Sequence, residues 1–331
     1  MKRKKILLHY LADGKFYSGQ FLADTLGISR TAIWKQVHTL KKYGLDIYSV
    51  RGKGYRLSKP IELLDRSSIE SACSSEALGL INDIEIMFET ESTNQQLLDK
   101  LSTHGIHARL VLAEFQTAGR GRRGSRWISP AGAGICLSIG WCFDYTSDSL
   151  TALSLAVGVA VVSALKQTGV AGVCLKWPND IIYQNRKLGG ILIESRGEIA
   201  GPSTVVIGIG LNVDLPEQVI DCIGQPVTDL ARLMEHPPSR NNVAGTIISE
   251  TIDMLNVFAT HGFAAFLQQW RELDYGCGKQ ATLMLSDKMI QGRVQGINDN
   301  GMLVMLIEGQ LKEFSSGELS LRIASTASIQ P

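Results

Sequence analysis

The sequence predicts a three-part α+β protein: a helical unit closed by a hairpin (residues 1–62), a central mixed α+β unit (63–273) and a small all-β unit (274–331). Three observations predict it. The first is charge. The chain holds 33 Lys+Arg and 32 Asp+Glu, but 13 and 3 of these fall in residues 1–60, so that segment carries +10 and the remainder −9. A basic segment on an acidic body points to a polyanionic partner for that segment alone. The second is a change of apolar period, from helical spacing before Gly44 to strand-like runs in the centre. The third is a series of short strands separated by glycine and polar turns after Gly278.

The first unit reads as helices joined by capped turns. Lys4 to Leu11 is a short helix with Ile6, Leu7 and Leu11 on neighbouring turns. Ser18 caps a second helix bearing Phe21, Leu22 and Leu26, which Gly27 ends. Ser29 caps a third that runs to Tyr43 and stops at Gly44. In it Ile33, Val37 and Leu40 form one buried stripe, leaving Arg30, Thr31, Trp34, Lys35 and His38 outside. Two strands then flank Arg51-Gly52-Lys53-Gly54, the wing of a winged helix-turn-helix. Ser29, Arg30, Thr31, Trp34, Lys35 and His38 are the candidate base-reading face. Arg51, Lys53 and Arg56 are placed to touch phosphates, contacts that give salt-dependent affinity without sequence information. Lys59-Pro60 breaks the hairpin, and Ile61 to Arg66 is the link.

In the central unit Ile84 to Phe88 reads as a strand, followed by a helix opened by Ser92, Thr93 and Asn94. These are good caps, and they also suit the polar end of a small ligand at a strand-to-helix turn. Arg109 to Phe115 is a buried strand, and Ile135 to Trp141 a half-buried one by its period-two alternation. Leu150 to Lys166 is a buried helix. Asp180 to Tyr183 and Leu188 to Glu194 form a hairpin over Gln184-Asn185-Arg186. Thr204 to Asn212 is a further strand whose glycines permit close approach to the backbone. Val243 to Thr260 and Ala264 to Leu273 are helices.

The chemistry concentrates in two clusters. Gly119-Arg120-Gly121-Arg122-Arg123-Gly124 is a cationic loop between Gln116 and Trp127. Each guanidinium is a rigid fork of donors for phosphate or carboxylate. Lys176-Trp177-Pro178-Asn179-Asp180 and Arg186-Lys187-Leu188-Gly189-Gly190 add a lone lysine beside two glycines. Together they are suited to hold an acyl group against a nucleotide phosphate. In isolation Lys187 also reads as a solvent lysine in a hairpin turn. The loop is no Walker A, lacking Gly-Lys-Ser/Thr, and no acidic residue follows it at the dinucleotide-site distance. The cysteines lack metal-type spacing and read as reduced, mostly buried thiols. No apolar run is long enough for a membrane span, so a cytoplasmic location is expected.

The order and spacing of these segments resemble biotin protein ligases, in the form that also carries a DNA-binding domain and represses the biotin operon. Ser92-Thr93-Asn94, Gln116, the arginine loop, Lys176 to Asp180, Lys187, Gly208 to Asn212 and Gly317 to Arg322 carry the resemblance. It implies a class II synthetase-like catalytic domain with a mixed sheet and an SH3-like C-terminal barrel. It implies ATP, biotin and Mg²⁺, a biotinyl-5′-adenylate intermediate, and transfer to a lysine of the biotin carboxyl carrier domain of acetyl-CoA carboxylase. It further implies operator DNA as a partner and a homodimer in the adenylate-bound form. Biotin and adenylate would meet Ser92, Thr93, Asn94, Gln116, Gly119, Arg120, Gly121, Arg122, Lys187, Gly190, Gly208 and Asn212. Lys187 and Arg122 would be catalytic with Asp180, which would either hold metal or assist the incoming lysine. Glu318 and Arg322 would support ATP. The alternatives are a ligase without operator binding, a lipoate-type ligase and a sensor without catalysis. Two departures from the family stand out: Ser125 where many members have Arg, and no Trp between Pro216 and Pro238, the segment that closes over adenine in the family.

Overall fold

The computed structural model describes residues 2–144, 150, 152–195, 203–284, 288–316 and 320–323. Helices α1 (Lys2–Leu11), α2 (Gly19–Leu26) and α3 (Arg30–Leu40) and the hairpin β1 (Ile47–Val50)–β2 (Gly54–Leu57) build the N-terminal unit. Ser18 and Ser29 accept the Phe21 and Ala32 N–H groups, as cap residues do, and Gly27 closes α2 at φ 62°. Ile33, Val37 and Leu40 are buried together with Leu7, Leu8, Leu22 and Leu26. Two side chains differ from expectation: Ile6 and Phe21 are exposed, and Leu8 takes the core place expected for Ile6. A single 3₁₀ turn, Lys41–Tyr43, separates α3 from Gly44.

Two short helices that sequence periodicity did not register, α4 (Arg66–Ala72) and α5 (Ser75–Leu80), lead into the central sheet. Strand β3 (Asp83–Thr90), helix α6 (Thr93–His104), β4 (Arg109–Gln116), β5 (Gly134–Phe143), α7 (Leu153–Gln167), β6 (Cys174–Lys176), β7 (Asp180–Tyr183), β8 (Arg186–Ser195) and β9 (Ser203–Asn212) follow. The seven strands lie in the order β3-β4-β5-β9-β8-β7-β6, with β3 and β4 parallel and the rest antiparallel. After β9 come α8 (Glu217–Cys222), α9 (Leu230–Leu233), the long α10 (Arg240–His261) and α11 (Leu267–Leu273). Ala264 to Leu273 is therefore not one helix, because a 3₁₀ turn at Gly262–Ala265 precedes α11.

Helices α7 and α10 pack together against one face of the sheet and α6 crosses the other. Strand β5 is central and nearly wholly buried, not half-buried. Its small alternate residues, Cys136, Ser138 and Gly140, face α6 and a cavity instead of water; period two marks two different buried faces here.

The C-terminal strands β10 (Gln280–Met284), β11 (Met289–Ile297), β12 (Leu303–Ile307), β13 (Gln310–Phe314) and β14 (Ser320–Ile323) form one antiparallel sheet in the order β13-β12-β11-β10-β14. Closure between β13 and β14 is not among the described pairings. The indole of Trp177 donates to Gly301 O at 3.1 Å, and Tyr275 N to Leu175 O at 2.9 Å, which seats this sheet on the catalytic unit.

The N-terminal unit is seated too. Tyr43, at the foot of α3, donates to Glu89 at 2.8 Å and packs edge-on against Phe88 and Phe115. Its carbonyl accepts from Ala131 N at 3.0 Å. The link is held by Arg240, buried at 2% exposure, which pairs with Glu114 at 2.7 Å and donates to Glu62 O and Gly134 O. Burying that charge is tolerable because Glu114 opposes it and carbonyls take further donors. Of the six thiols Cys136 alone is buried; Cys73, Cys142 and Cys174 are half-buried, and Cys222 and Cys277 are exposed, contrary to expectation.

Candidate active site and nucleic-acid interface

A cavity of about 980 Å³ opens on the α6 side of the sheet. Its floor is glycine. A Cβ on Gly210 would lie 2.6 Å from the Trp127 ring, and one on Gly208 would overlap the Asn94 amide. Only hydrogen at these two positions lets an indole and an amide rest on β9.

One end of the cavity is polar and neutral. Ser138 donates to Asn94 Oδ1 at 2.5 Å and lies 2.7 Å from Thr93 Oγ1. Gln116 Oε1 accepts from Thr93 N at 2.8 Å. Ser92, the residue before α6, makes no side-chain cap bond. This turn thus holds back its cap: Ser92, Thr93 and Asn94 line the cavity instead. The Asn94 amide also donates to Glu194 Oε2 at 2.8 Å, and Arg120 reaches the same oxygen at 3.0 Å.

The other end is charged. Lys187 Nζ lies 2.6 Å from Asp180 Oδ1, and Lys176 Nζ 3.4 Å from Asp180 Oδ2. Burial alone would push the Asp180 carboxyl up, but the two ammonium groups outweigh it and hold it below the ordinary value of 3.8. Lys187 sits on β8, with the Trp127 ring 5.9 Å from its ammonium, so it is not a turn lysine. The turn is Gln184-Asn185, both at positive φ. Arg122 donates to Asn179 Oδ1 at 3.5 Å and to Ser316 O of the C-terminal unit. Burial lowers its guanidinium from the ordinary value, with Asp180 opposing; it stays a cation.

Every described residue expected at the ligand lines this cavity except Gly119, which acts from behind. Gly119 backs the wall: its Cβ would meet Trp127 O at 2.5 Å. Asn212 lines the cavity, but its amide is spent on Thr228 O at 3.0 Å and Lys187 O at 3.4 Å. That bond fixes the segment after α8, where Val227 bridges to Lys187 and is buried with Leu215 and Ala133. Arg322 lines the rim; Glu318 lies outside the described residues. Ser125 closes the arginine loop on itself, donating to Arg122 O at 2.8 Å. Sequence reasoning missed Ser138, Glu194 and Trp127 as parts of the site. The small residues of β5 facing the glycines of β9 were the available signal for Ser138.

On the N-terminal unit, Ser29, Arg30, Thr31, Trp34, Lys35 and His38 are all exposed, as are Arg51 and Lys53 on the wing. Trp34 is half exposed and stacks on His38 at 4.5 Å. Ser29's hydroxyl is committed to its cap. Among the described residues no carboxylate pairs with Arg30, Lys35, Arg51 or Lys53.

A helix-turn-helix unit joined to a nucleotide-and-acyl cavity defines a DNA-binding ligase of the biotin/lipoate class. Comparison with known proteins agrees. Residues 88–212 match the biotin/lipoate A/B protein ligase family, 2–56 an HTH domain and 276–322 the biotin protein ligase C-terminal domain. The chain is 37% identical to the bifunctional ligase/repressor BirA of Salmonella typhimurium over 96% of this chain and 97% of that protein. It is 36% identical to the protein of the same name from Escherichia coli, with the same coverage. A biotin protein ligase from Aquifex aeolicus, solved in complex with biotin and ATP, superposes with a TM-score of 0.62 at 26% identity, covering 74% of this chain and all of that one. The chain belongs to the bifunctional ligase/repressor family.

Proposed function

We propose that this protein is an ATP-dependent biotin protein ligase that forms biotinyl-5′-adenylate, transfers biotin to a lysine of a biotin carboxyl carrier domain, and represses transcription with the adenylate as corepressor. One observation carries the catalytic reading: a single cavity with a neutral hydrogen-bonding end, a glycine floor and a cationic end. The neutral end suits an uncharged ring with donors and acceptors. The glycines allow a flat chain or ring to lie on β9. The cations suit phosphate.

The biotin carboxylate attacks the α-phosphate; a new O–P bond forms and pyrophosphate leaves. Two anions must approach, so opposing positive charge is the main requirement. Lys187 and Arg122 supply it. Asp180 is held ionised and below its ordinary range, so it acts as the counter-charge that aims Lys187 and not as a proton acceptor. A neutral amine of the carrier lysine then attacks the acyl carbon, the acyl–O bond breaks, AMP leaves with the bonding pair, and the surplus amine proton passes to the departing phosphate or to water. The arginine loop shields the mixed anhydride from water until then.

Mg²⁺ fits poorly as a resident ion. Among the described residues no three His, Cys, Asp or Glu converge, and both Asp180 oxygens are taken by lysines. Any Mg²⁺ would be held by the nucleotide's phosphates. The division into 1–62, 63–273 and 274–331 is our reading of the domains; a separate N-terminal apolar cluster and the change to an all-antiparallel sheet at β10 support it, while the core under the C-terminal strands is continuous with that of the central unit. Arg322 would support ATP at the rim. The exposed cations of α3 and the wing would read the operator, two units together in an adenylate-bound homodimer.

Transfer of labelled biotin to a carrier domain, with ATP and Mg²⁺ and beside a lipoate control, tests the reading. Biotin-specific labelling of one carrier lysine supports it. Lipoate transfer would make this a lipoate-type ligase, and biotin binding without transfer a sensor. Operator binding in the presence and absence of the adenylate tests repression; no difference rejects the corepressor role.

A further inference from the structure

The wing contains an arrangement that neither α3 nor the loop tip accounts for. Tyr17 N and O pair with Tyr55 O and N, each at 2.9 Å, so the segment before α2 adds a third, antiparallel edge to the β1–β2 hairpin. Gly54 is required there, since a Cβ would overlap the Tyr17 carbonyl. In this ribbon Tyr48 is the cross-strand partner of Arg56. The Tyr17–Tyr55 pairing brings Phe16 opposite Arg56 on the other side. The guanidinium carbon lies 5.0 Å from the Phe16 ring centroid and 5.3 Å from that of Tyr48. Lys53 adds a second cation 5.9 Å from Phe16.

A guanidinium has two faces and a rim, and its donors lie in the rim. Here one ring approaches the guanidinium from each neighbouring strand segment. The Nε is buried without a hydrogen-bond partner, and among the described residues no carboxylate pairs with Arg56. Among the described residues Arg51 has no such aromatic support, and Lys53 lies near one ring only. Two rings holding an arginine reduce the rotamer freedom it would otherwise lose on binding. The two terminal nitrogens, not the buried Nε, are the donors open to the tetrahedral oxygens of a phosphodiester.

We propose that Phe16, Arg56 and Tyr48 form a preformed clamp for one backbone phosphate of bound DNA, at the base of the wing. This rests on the reading of the N-terminal unit as a DNA-binding domain. The clamp is sequence-independent, so a mixed-sequence duplex is a sufficient probe and the operator need not be known.

The test is fluorescence anisotropy with that duplex at a series of salt concentrations, using full-length protein. Arg56→Ala should bind more weakly and show a log K against log salt slope smaller by about 0.9, one phosphate's worth; its disadvantage should therefore shrink about 3.5-fold between about 50 and 200 mM salt. Arg56→Lys keeps the charge and should keep the slope, yet bind about two- to fivefold more weakly, because ammonium stacks less well on the two rings. Phe16→Leu and Tyr48→Leu should behave like Arg56→Lys. Thermal unfolding matched to wild type establishes that each variant is folded. If Arg56→Ala keeps the wild-type slope while wild type binds, the clamp is overturned alone. If folded wild-type protein does not bind the duplex at low salt, the DNA-binding reading falls and the clamp with it.

Discussion

The N-terminal unit and the central cavity are both rich in arginine and lysine, yet they use them in opposite ways. Around α3 and the wing Arg30, Lys35, Arg51 and Lys53 are exposed and, among the described residues, pair with no carboxylate, while Arg56 is half-buried between rings. At the charged end of the cavity the cations are half-buried and engaged: Lys187 and Lys176 on Asp180, and Arg122 on Asn179 and Ser316, while Arg120 pairs with Glu194 from an exposed position. Exposed charges act at a distance and are screened by salt within about 8–10 Å. Partly desolvated, paired charges act at one point and lose little to salt. The same residue types thus give attraction to a polymer in one place and placement of single oxygen atoms in the other.

The comparison breaks most sharply at Lys187. Lys187→Ala removes a cation proposed to meet the attacked phosphate, so adenylate formation should fall about 10²–10³-fold, as when a transition-state donor is deleted. Pyrophosphate release measures it, and near-normal rates from a folded variant would discard the assigned role. Asp180→Asn comes next. It leaves two ammonium groups beside an uncharged amide, which should cost on the order of 3 kcal/mol in chemical denaturation. The wild-type contribution has a definite sign. A carboxyl whose folded pKa lies below 3.8 stabilises the fold above that pH, and the stability drains away as pH falls below 3.8. The acid limb of stability should therefore be shallower in Asp180→Asn; identical limbs would show that the pair contributes nothing.

Gly208→Ala is milder and more local. The new methyl group must displace the Asn94 amide, breaking its bonds to Ser138 and Glu194. Overpacking of about 1–3 kcal/mol implies roughly 5- to 150-fold weaker biotin binding by calorimetry. Unchanged affinity would mean Asn94 is not part of the ligand wall. The smallest effect is expected at Trp34, where removal of the exposed ring should weaken duplex binding without altering the salt slope. A changed slope would place Trp34 among the phosphate contacts.

Local signals in the chain were sufficient for much of this. Ser18, Gly27, Ser29 and Gly44 announce their helix ends, and the bonds at those ends are the expected ones. Ser92-Thr93-Asn94, the arginine loop, Lys187 and Gly208 were expected at one site from their order and their resemblance to biotin protein ligases, and the fold brings them to one cavity. What stayed hidden is non-local. Ser138 reads as an ordinary strand residue until β5 is known to lie beside β9, with both faces covered. Glu194 ends a strand, and its partners Asn94 and Arg120 lie 100 and 74 residues away. Trp127 looks like the end of a loop, yet it is a cavity wall because Gly210 leaves room for it. The seating of Tyr43 on Glu89, Phe88 and Phe115 could not be read from the helix that carries it.

The contrast between free and engaged cations is tested most directly by one salt series on one preparation: affinity for a mixed-sequence duplex and for biotinyl-5′-adenylate, measured side by side. Duplex affinity should fall steeply with salt, by about 0.9 log units per tenfold increase for each phosphate contacted. Adenylate affinity should stay nearly flat, because its cations are paired and partly withdrawn from solvent. Parallel slopes for the two ligands would contradict the division between a screened, polymer-binding surface and a desolvated catalytic site.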